Sequence, residues 1–291
     1  MPSPSPVRPR AVFLDIDGTY ADHGLAPETH VEAVRAARSR GHLVFVCTGR
    51  PLAMVPDHIL ATGFDGVITG AGARVEMNGE ILADTRFDAD VARRIVEVLD
   101  ANNVAYILEA PEVLHGRTGM DQRLRSVLGP IFAERHAPHA AGLEAAADVD
   151  PLEDILGPLQ YGDDLRGASF AKISCFDSPV PLRQLVDQMG EGIALIPSSL
   201  SSLGESAGEI FIAGVHKAVG IKVIEAHLGL DRADIVAIGD SANDIEMLAY
   251  AGVGIAVEGG HPDVLAVADR LTPGPAGNGV ALAFAELGLL D

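Results

Sequence analysis

An apolar run that stops at two closely spaced carboxylates constrains this chain more than any other feature. Ala11-Val12-Phe13-Leu14 leads directly into Asp15-Ile16-Asp17-Gly18-Thr19. Four consecutive apolar residues bounded by turn chemistry read as a strand buried on both faces. The rhythm then repeats. Residues 27–40 place Val31, Val34 and Ala37 on one helical face and stop at Gly41. Leu43 to Cys47 reads as a second buried strand with Thr48-Gly49-Arg50-Pro51 as its loop. A helix over 52–60 and a strand over 66–69 follow. Strand, helix, strand with short links is the pattern of a parallel α/β sheet.

The pattern changes after residue 70. Asn78-Gly79 between two short apolar runs predicts a hairpin. Asp88 can cap a helix running to Leu99, with Val91, Ile95, Val98 and Leu99 on one face. Strands are expected at 105–109, 113–115, 169–176 and 193–196, and a helix at 181–189. The Ala-, Pro-, Gly- and Asp-rich stretch 135–167 reads as a long loop with one or two short helices. The parallel rhythm then returns: strand 209–212, helix 216–228, strand 235–238, the loop Gly239-Asp240-Ser241-Ala242-Asn243-Asp244, a helix to 251 and a strand at 253–256. The expected organisation is a disordered tail at 1–10 and a doubly wound α/β core built from 11–82 and 205–291. An α+β domain at 83–204 is inserted into that core.

Charge excludes some partners. Lys and Arg total 21 against 41 Asp and Glu, a net charge of -20. Such a field repels nucleic acid, so an anionic substrate must be held by a local cationic pocket or a metal. No apolar run approaches the ~18 residues of a membrane span. The prolines of the first ten residues break up any signal-peptide core, which makes a cytoplasmic protein the expectation, as monomer or homodimer. The two cysteines, Cys47 and Cys175, sit in apolar stretches and read as buried thiols.

In an open α/β sheet, ligands bind beyond the carboxyl ends of the strands. The strand ends at Leu14, Cys47 and Gly239 would then project Asp15 and Asp17, Thr48 and Arg50, and Asp240 and Asp244 toward one crevice. Carboxylates gathered so closely need a cation or raised pKa values. A hard divalent ion with oxygen ligands meets that need, and Mg²⁺ fits better than zinc, for which the His and Cys ligands are missing. Each cluster alone also reads as a turn. The acidic pair at the end of one buried strand together with the acidic loop after another is far more specific.

At these residues a resemblance emerges. Asp15-Ile16-Asp17-Gly18-Thr19 resembles the nucleophile motif of the haloacid dehalogenase superfamily, Thr48-Gly49-Arg50 its second motif, Lys217 its third and Gly239 to Asp244 its fourth. The insertion between the second motif and the lysine is similar to the Cof-type (type IIB) branch with its α+β cap. The likeness covers nearly the whole chain after residue 10, the middle of the cap by layout only. It implies that Asp15 attacks phosphorus to form an aspartyl phosphate and that Asp17 protonates the leaving oxygen and later activates water. Thr48 and Lys217 hold the phosphoryl oxygens, with Gly49, Arg50 and Asn243 as further substrate- or phosphate-binding residues, although in that family the residue at Arg50 often supports the loop by salt bridges instead, the reading preferred here. Mg²⁺ is held by Asp15, the Asp17 backbone carbonyl, Asp240 and, directly or through water, Asp244. The implied activity is a phosphatase acting on small phosphorylated metabolites. Sugar phosphates come first, with flavin mononucleotide and pyridoxal phosphate as alternatives, and the cap closes over the crevice. A phosphomutase and a non-catalytic binder of a phosphometabolite are the rival readings. Tyr20, His216, Ala218 and Glu258-Gly259-Gly260 depart from the usual pattern and bear on substrate preference. In the cap, His115, His136 and His139 read as solvated side chains before substrate contacts, and Lys172 as facing either the crevice or water.

Overall fold

A computed structural model describes residues 8–22, 24–135, 152–198 and 201–291. Most of the expected tail at 1–10 and the loop residues His136 and His139 lie outside that set. The chain divides into two compact units. The first comprises Met1–Arg50, Val55–Asp84 and Val215–Asp291, and the second Pro51–Met54 and Thr85–Gly214.

In chain order, the first unit begins with β1 (Ala11–Leu14), α1 (Glu28–Ser39), β2 (Leu43–Cys47), α2 (Asp57–Leu60), β3 (Gly66–Thr69), β4 (Arg74–Met77) and β5 (Glu80–Asp84). The second unit carries α3 (Ala89–Ala101), β6 (Ala105–Glu109), β7 (Leu114–Arg117), α4 (Met120–Arg135), α5 (Glu153–Leu156), β8 (Leu159–Gly162), β9 (Lys172–Asp177), α6 (Leu182–Met189), β10 (Ile193–Pro197) and β11 (Gly208–Ile212). The chain then returns to the first unit with α7 (Lys217–Leu228), β12 (Ile235–Gly239), α8 (Ile245–Tyr250), β13 (Val253–Val257), α9 (Pro262–Val267), β14 (Arg270–Thr272) and α10 (Gly279–Glu286). No helix among the described residues is long and apolar enough to cross a membrane.

The first unit is built on an eight-stranded sheet in the order β14-β13-β12-β1-β2-β3-β4-β5. Its strands run parallel from β14 through β3, and the β4–β5 hairpin closes the edge antiparallel. The hairpin turn is Asn78-Gly79, with φ of 51° and 80°, the left-handed pair that a two-residue turn between twisted strands requires. Alternation along the strands explains why their sequences are apolar throughout. Val12, Leu14, Val44 and Val46 pack with Val34 and Ala37 of α1 and Val280 and Phe284 of α10. Ala11, Phe13, Phe45 and Cys47 pack on the opposite face with Ile221 and Ile224 of α7 and Met247 and Leu248 of α8. This is the doubly wound parallel core that the spacing predicts. From β1 the chain winds outward through β2 and β3. After the insertion it winds the other way through β12, β13 and β14. The winding direction therefore reverses between β1 and β12, where open α/β sheets place their ligands.

The second unit is α+β: a six-stranded sheet, β10-β11-β9-β6-β7-β8, antiparallel except between β7 and β8. Helices α3 and α6 pack on one face through Ile95, Leu99, Leu182 and Leu185. Met120, Leu124 and Leu128 of α4 pack on the other.

Three expectations need correction. The stretch 135–167, read as a loop with short helices, contains the strand β8, which pairs with β7. The strand at 209–212, read as part of the parallel core, is β11 of the second sheet, hydrogen-bonded to β9 and β10. The helix expected over 52–60 is instead a 3₁₀ turn at Leu52–Met54 followed by α2, broken at Pro56. Proline has no N–H to give and its ring crowds the preceding turn, and here Pro56 takes the N-cap position of the second piece.

Candidate active site

The site is assembled at the carboxyl ends of β1, β2 and β12. Asp15 is the first residue past β1. Its N–H donates to the Ile238 carbonyl at 3.0 Å, and its own carbonyl accepts from Tyr20 N–H at 3.1 Å. The chain can turn so tightly because Gly18 adopts φ +81°, where a β-carbon would also come within 2.6 Å of Asp240 Oδ2.

Lys217, the first residue of α7, is completely buried, and its Nζ donates to Asp15 Oδ1 and Asp244 Oδ1, both at 2.5 Å. Burial works against the lysine's charge, yet the Asp15 and Asp244 carboxylates outweigh it and hold its pKa above the ordinary value. Asp15 is pushed up, by burial first and then by Asp244 and Asp240, with Lys217 opposing. Asp244 spends its second oxygen on the chain: Oδ2 accepts from Asp240 N–H (3.1 Å), Ser241 N–H (2.9 Å) and Ser241 Oγ–H (3.2 Å). Asp240 Oδ1 accepts from Thr19 Oγ–H at 3.1 Å, and burial followed by the Asp244 charge pushes its pKa up to about 6.

Carboxylate oxygens of Asp15, Asp240 and Asp244 all lie within 4.8 Å of one another. Three carboxylates against one ammonium leave two negative charges uncompensated in a largely buried place, the charge of a divalent cation. The donor set is oxygen only, which suits a hard ion. The residues therefore fit Mg²⁺.

Thr48, just past β2, is buried. Its hydroxyl oxygen accepts from Arg50 N–H at 3.1 Å, which leaves the hydroxyl hydrogen to donate. Asn243 Oδ1 accepts from Ser241 Oγ–H, and its Nδ2 lies 3.0 Å from where a β-carbon on Gly49 would stand. The second and fourth motifs thus meet at Gly49 and Asn243. Asp17 differs from the other acids. Its side chain is 50% exposed and stands outside the three-carboxylate cluster, held by Arg50 through Nε to Oδ2 (2.7 Å) and Nη2 to Oδ1 (2.8 Å).

Thr19 and Ser241 take parts that sequence alone does not assign them: one hydrogen-bonds Asp240, the other ties Asp244. Both stand inside the quoted motifs as hydroxyl residues next to an acidic loop, which is the available signal. In the second unit, Lys172 points neither outward nor free. It is buried between Glu109 Oε2 and Glu209 Oε2, each at 3.1 Å.

Comparison with known proteins fits this geometry. A family model described as haloacid dehalogenase-like hydrolase matches residues 12–284. The chain is 24% identical to the putative phosphatase YkrA of Bacillus subtilis, over 97% of this chain and 98% of that protein. It is 26% identical to the 5-amino-6-(5-phospho-D-ribitylamino)uracil phosphatase YitU of the same organism, over 94% and 96%. A putative bifunctional phosphatase/peptidyl-prolyl cis-trans isomerase of Streptococcus pyogenes is 26% identical over 97% of this chain, which spans 54% of that longer protein. Among solved structures, the subclass IIB sugar phosphatase BT4131 superimposes with a TM-score of 0.74 at 20% identity, covering 96% of this chain and 99% of that one. The phosphatase BT1666 of Bacteroides thetaiotaomicron gives 0.71 at 22%, covering 97% and 96%. This chain belongs to the haloacid dehalogenase-like hydrolase family.

Proposed function

We propose that this chain is a Mg²⁺-dependent phosphatase that hydrolyses small phosphorylated metabolites, sugar phosphates first, with Asp15 as the nucleophile. The observation that carries the reading is Asp15 itself: a buried carboxylate fixed by Lys217 beside two further carboxylates whose surplus charge calls for a divalent cation. Asp15, Asp240 and the Asp17 backbone carbonyl would hold Mg²⁺, with Asp244, already engaged by Lys217 and the Ser241 turn, acting through a water. The ion would offset negative charge on the phosphoryl oxygens as the reaction proceeds.

The chain's own groups then divide the work. Lys217 and the Thr48 hydroxyl donate to the phosphoryl oxygens and orient them, with Asn243 Nδ2 beside them. A carboxylate oxygen of Asp15 attacks phosphorus in line. The bond to the leaving oxygen breaks, and Asp17 delivers a proton to that oxygen. Asp17 then takes a proton from water, whose oxygen attacks the same phosphorus. The Asp15–phosphorus bond breaks and inorganic phosphate leaves. The names of the relatives support the substrate class: YitU is named for a phosphoribityl compound and BT4131 for sugar phosphates.

The test is phosphate release from p-nitrophenyl phosphate and a panel of sugar phosphates, phosphoribityl compounds, flavin mononucleotide and pyridoxal phosphate. Wild type is compared with and without Mg²⁺, and beside Asp240→Asn. The expected result is release that EDTA abolishes and Mg²⁺ restores. Mg²⁺ should also raise the melting temperature of wild type but not of Asp240→Asn, because a ligand that binds only the folded state stabilises it by roughly 2.7 kcal/mol at 100 times its Kd. Metal-independent release, or no release from any compound, would overturn the reading.

A further inference from the structure

A residue at a helix N-cap ordinarily spends its side chain on the helix. His261, the N-cap of α9, does so: its Nδ1 accepts from Asp263 N–H at 3.3 Å. His216, the N-cap of α7 and the residue directly before Lys217, makes no such bond. Neither nitrogen of its ring has a hydrogen-bond partner among the described residues. Nδ1 is enclosed, whereas Nε2, equally unpartnered, is left accessible. An N–H buried with no acceptor is among the rarest arrangements in folded chains, so the neutral ring carries its hydrogen on Nε2. The backbone under this ring is fixed by the loop after β3. A β-carbon on Gly72 would come within 2.3 Å of the His216 carbonyl oxygen and 3.3 Å of Lys217 N, so the loop lies flush against the start of α7. The same loop is tied to the residues that follow β2. Gly70 N–H donates to the Arg50 carbonyl at 2.8 Å and Ala71 N–H to the Thr48 carbonyl at 3.0 Å. Ala71 is held at φ 54° and ψ 35°, a left-handed conformation that costs a residue with a β-carbon. Such strain persists where surrounding contacts over-determine it, and it clusters at ligand sites. Lys217 sends its side chain inward to Asp15 and Asp244. His216 is extended, at φ -154° and ψ 167°, and side chains of neighbouring residues diverge along extended backbone. The half-buried imidazole therefore stands at the edge of the fully buried Asp15–Lys217–Asp244 group.

We propose that His216 is a specificity-determining residue whose Nε2–H donates to a hydroxyl oxygen on the alcohol portion of the substrate, so that sugar and polyol phosphates are preferred over esters of plain alcohols. The proposal rests on the phosphatase reading. The phosphoryl oxygens already have Lys217, Thr48 and Asn243, and the group left over at their edge is a donor. A hydroxyl-bearing leaving group replaces the water on Nε2–H with a bond of its own. A plain alkyl chain in that place strips the water and returns nothing, which is how a polar site rejects an analogue that lacks the hydroxyl.

The experiment compares wild type, His216→Gln and His216→Leu on two substrates. One is the sugar phosphate that wild type hydrolyses fastest. The other is propyl phosphate, which has the ester bond and no further hydroxyl. Inorganic phosphate serves as a competitive inhibitor, and melting temperatures check that the variants fold. In His216→Leu, kcat/KM for the sugar phosphate should fall roughly 5–15-fold, the worth of one hydrogen bond. His216→Gln, whose amide N–H reaches about as far as the ring Nε2–H, should stay within about 3-fold of wild type. Values for propyl phosphate, and the phosphate inhibition constant, should change by less than about 3-fold in both variants. The melting temperature of His216→Leu should not fall, because the ring gives the fold no hydrogen bond to lose. Equal losses on both substrates with a lowered melting temperature would make His216 a packing residue, and a raised phosphate inhibition constant would make it a phosphate ligand. Either result, or unchanged kinetics on the sugar phosphate, would overturn the proposal while leaving the phosphatase reading intact. So would a wild type that hydrolyses propyl phosphate as well as the sugar phosphate. A wild type that hydrolyses neither would overturn both.

Discussion

At the residue scale, the Asp15–Lys217–Asp244 group shows a fold holding buried charges at a cost. A buried ion pair balances Coulomb attraction against the loss of water around both charges. Here burial dominates at Asp15, and its pKa lies above the ordinary carboxylate value. An acid whose folded pKa exceeds its unfolded value takes stability away as pH rises from the unfolded value toward the folded one. Asp15→Asn removes the charge and keeps the shape. Without metal, its unfolding free energy in urea at pH 7 should exceed that of wild type by about 1–2 kcal/mol, while phosphate release disappears. Lys217→Met should do the opposite and cost about 3–5 kcal/mol, because it strands two buried carboxylates. An Asp15→Asn protein less stable than wild type would mean that the pair is a net stabiliser.

At the element scale, one histidine ties three pieces of the first unit together. His30 of α1 donates from Nδ1 to the Tyr20 carbonyl at 2.8 Å, and its Nε2 accepts from Val280 N–H at 3.2 Å, at the start of α10. Tyr20 in turn donates its N–H to the Asp15 carbonyl. Only the neutral ring can make both bonds. Burial lowers the His30 pKa, and the backbone of Tyr20 and of Asn278 only partly counters this. With the folded pKa below the unfolded one, the contribution is fully present above the unfolded value of about 6.5 and is lost as pH falls from there toward the folded pKa. Wild type should therefore lose stability between neutral pH and about pH 5 more steeply than His30→Gln, each measured by urea unfolding; every tenfold loss of proton affinity on folding corresponds to about 1.4 kcal/mol. His42 and His115, also lowered by burial, contribute equally to both proteins, so the difference in slope belongs to His30. Parallel slopes would remove His30 from the account.

The elements also show what local sequence can carry. The strands ending at Leu14, Cys47 and Gly239 are legible because burial on both faces leaves an unbroken apolar run, and the site follows because each acidic or hydroxyl cluster sits at such an end. The β4–β5 hairpin announces itself at Asn78-Gly79. Sheet membership does not. Strand β11 has the same apolar character as a core strand, and only pairing with β9, some 35 residues away at Glu209 and Ser174, assigns it to the second sheet. Helix α4 escapes local reading because Pro130 lies inside it, although Met120, Leu124 and Leu128 mark its buried stripe. The bond between Arg50 and Asp17 spans 33 residues, and no local pattern encodes it.

For the whole molecule, the question is how a chain with a net charge of -20 admits an anionic substrate. Three carboxylates, one ammonium and a divalent cation would leave the immediate site near neutrality, so short-range attraction falls to oriented donors, which salt screens weakly. The surrounding field is another matter. At about 10 mM salt the Debye length is roughly 30 Å, and an approaching phosphate dianion feels charges spread over much of the protein; at about 150 mM it is roughly 8 Å, and most of them vanish from view. Repulsion lowers the local concentration of the substrate and slows encounter. Raising NaCl across that range at fixed Mg²⁺ should therefore lower KM for a dianionic phosphate ester. A phosphate ester that also carries an ammonium group should respond less, because its net charge is smaller. A KM that rises with salt would mean that a local cationic pocket outweighs the field and would refute this account.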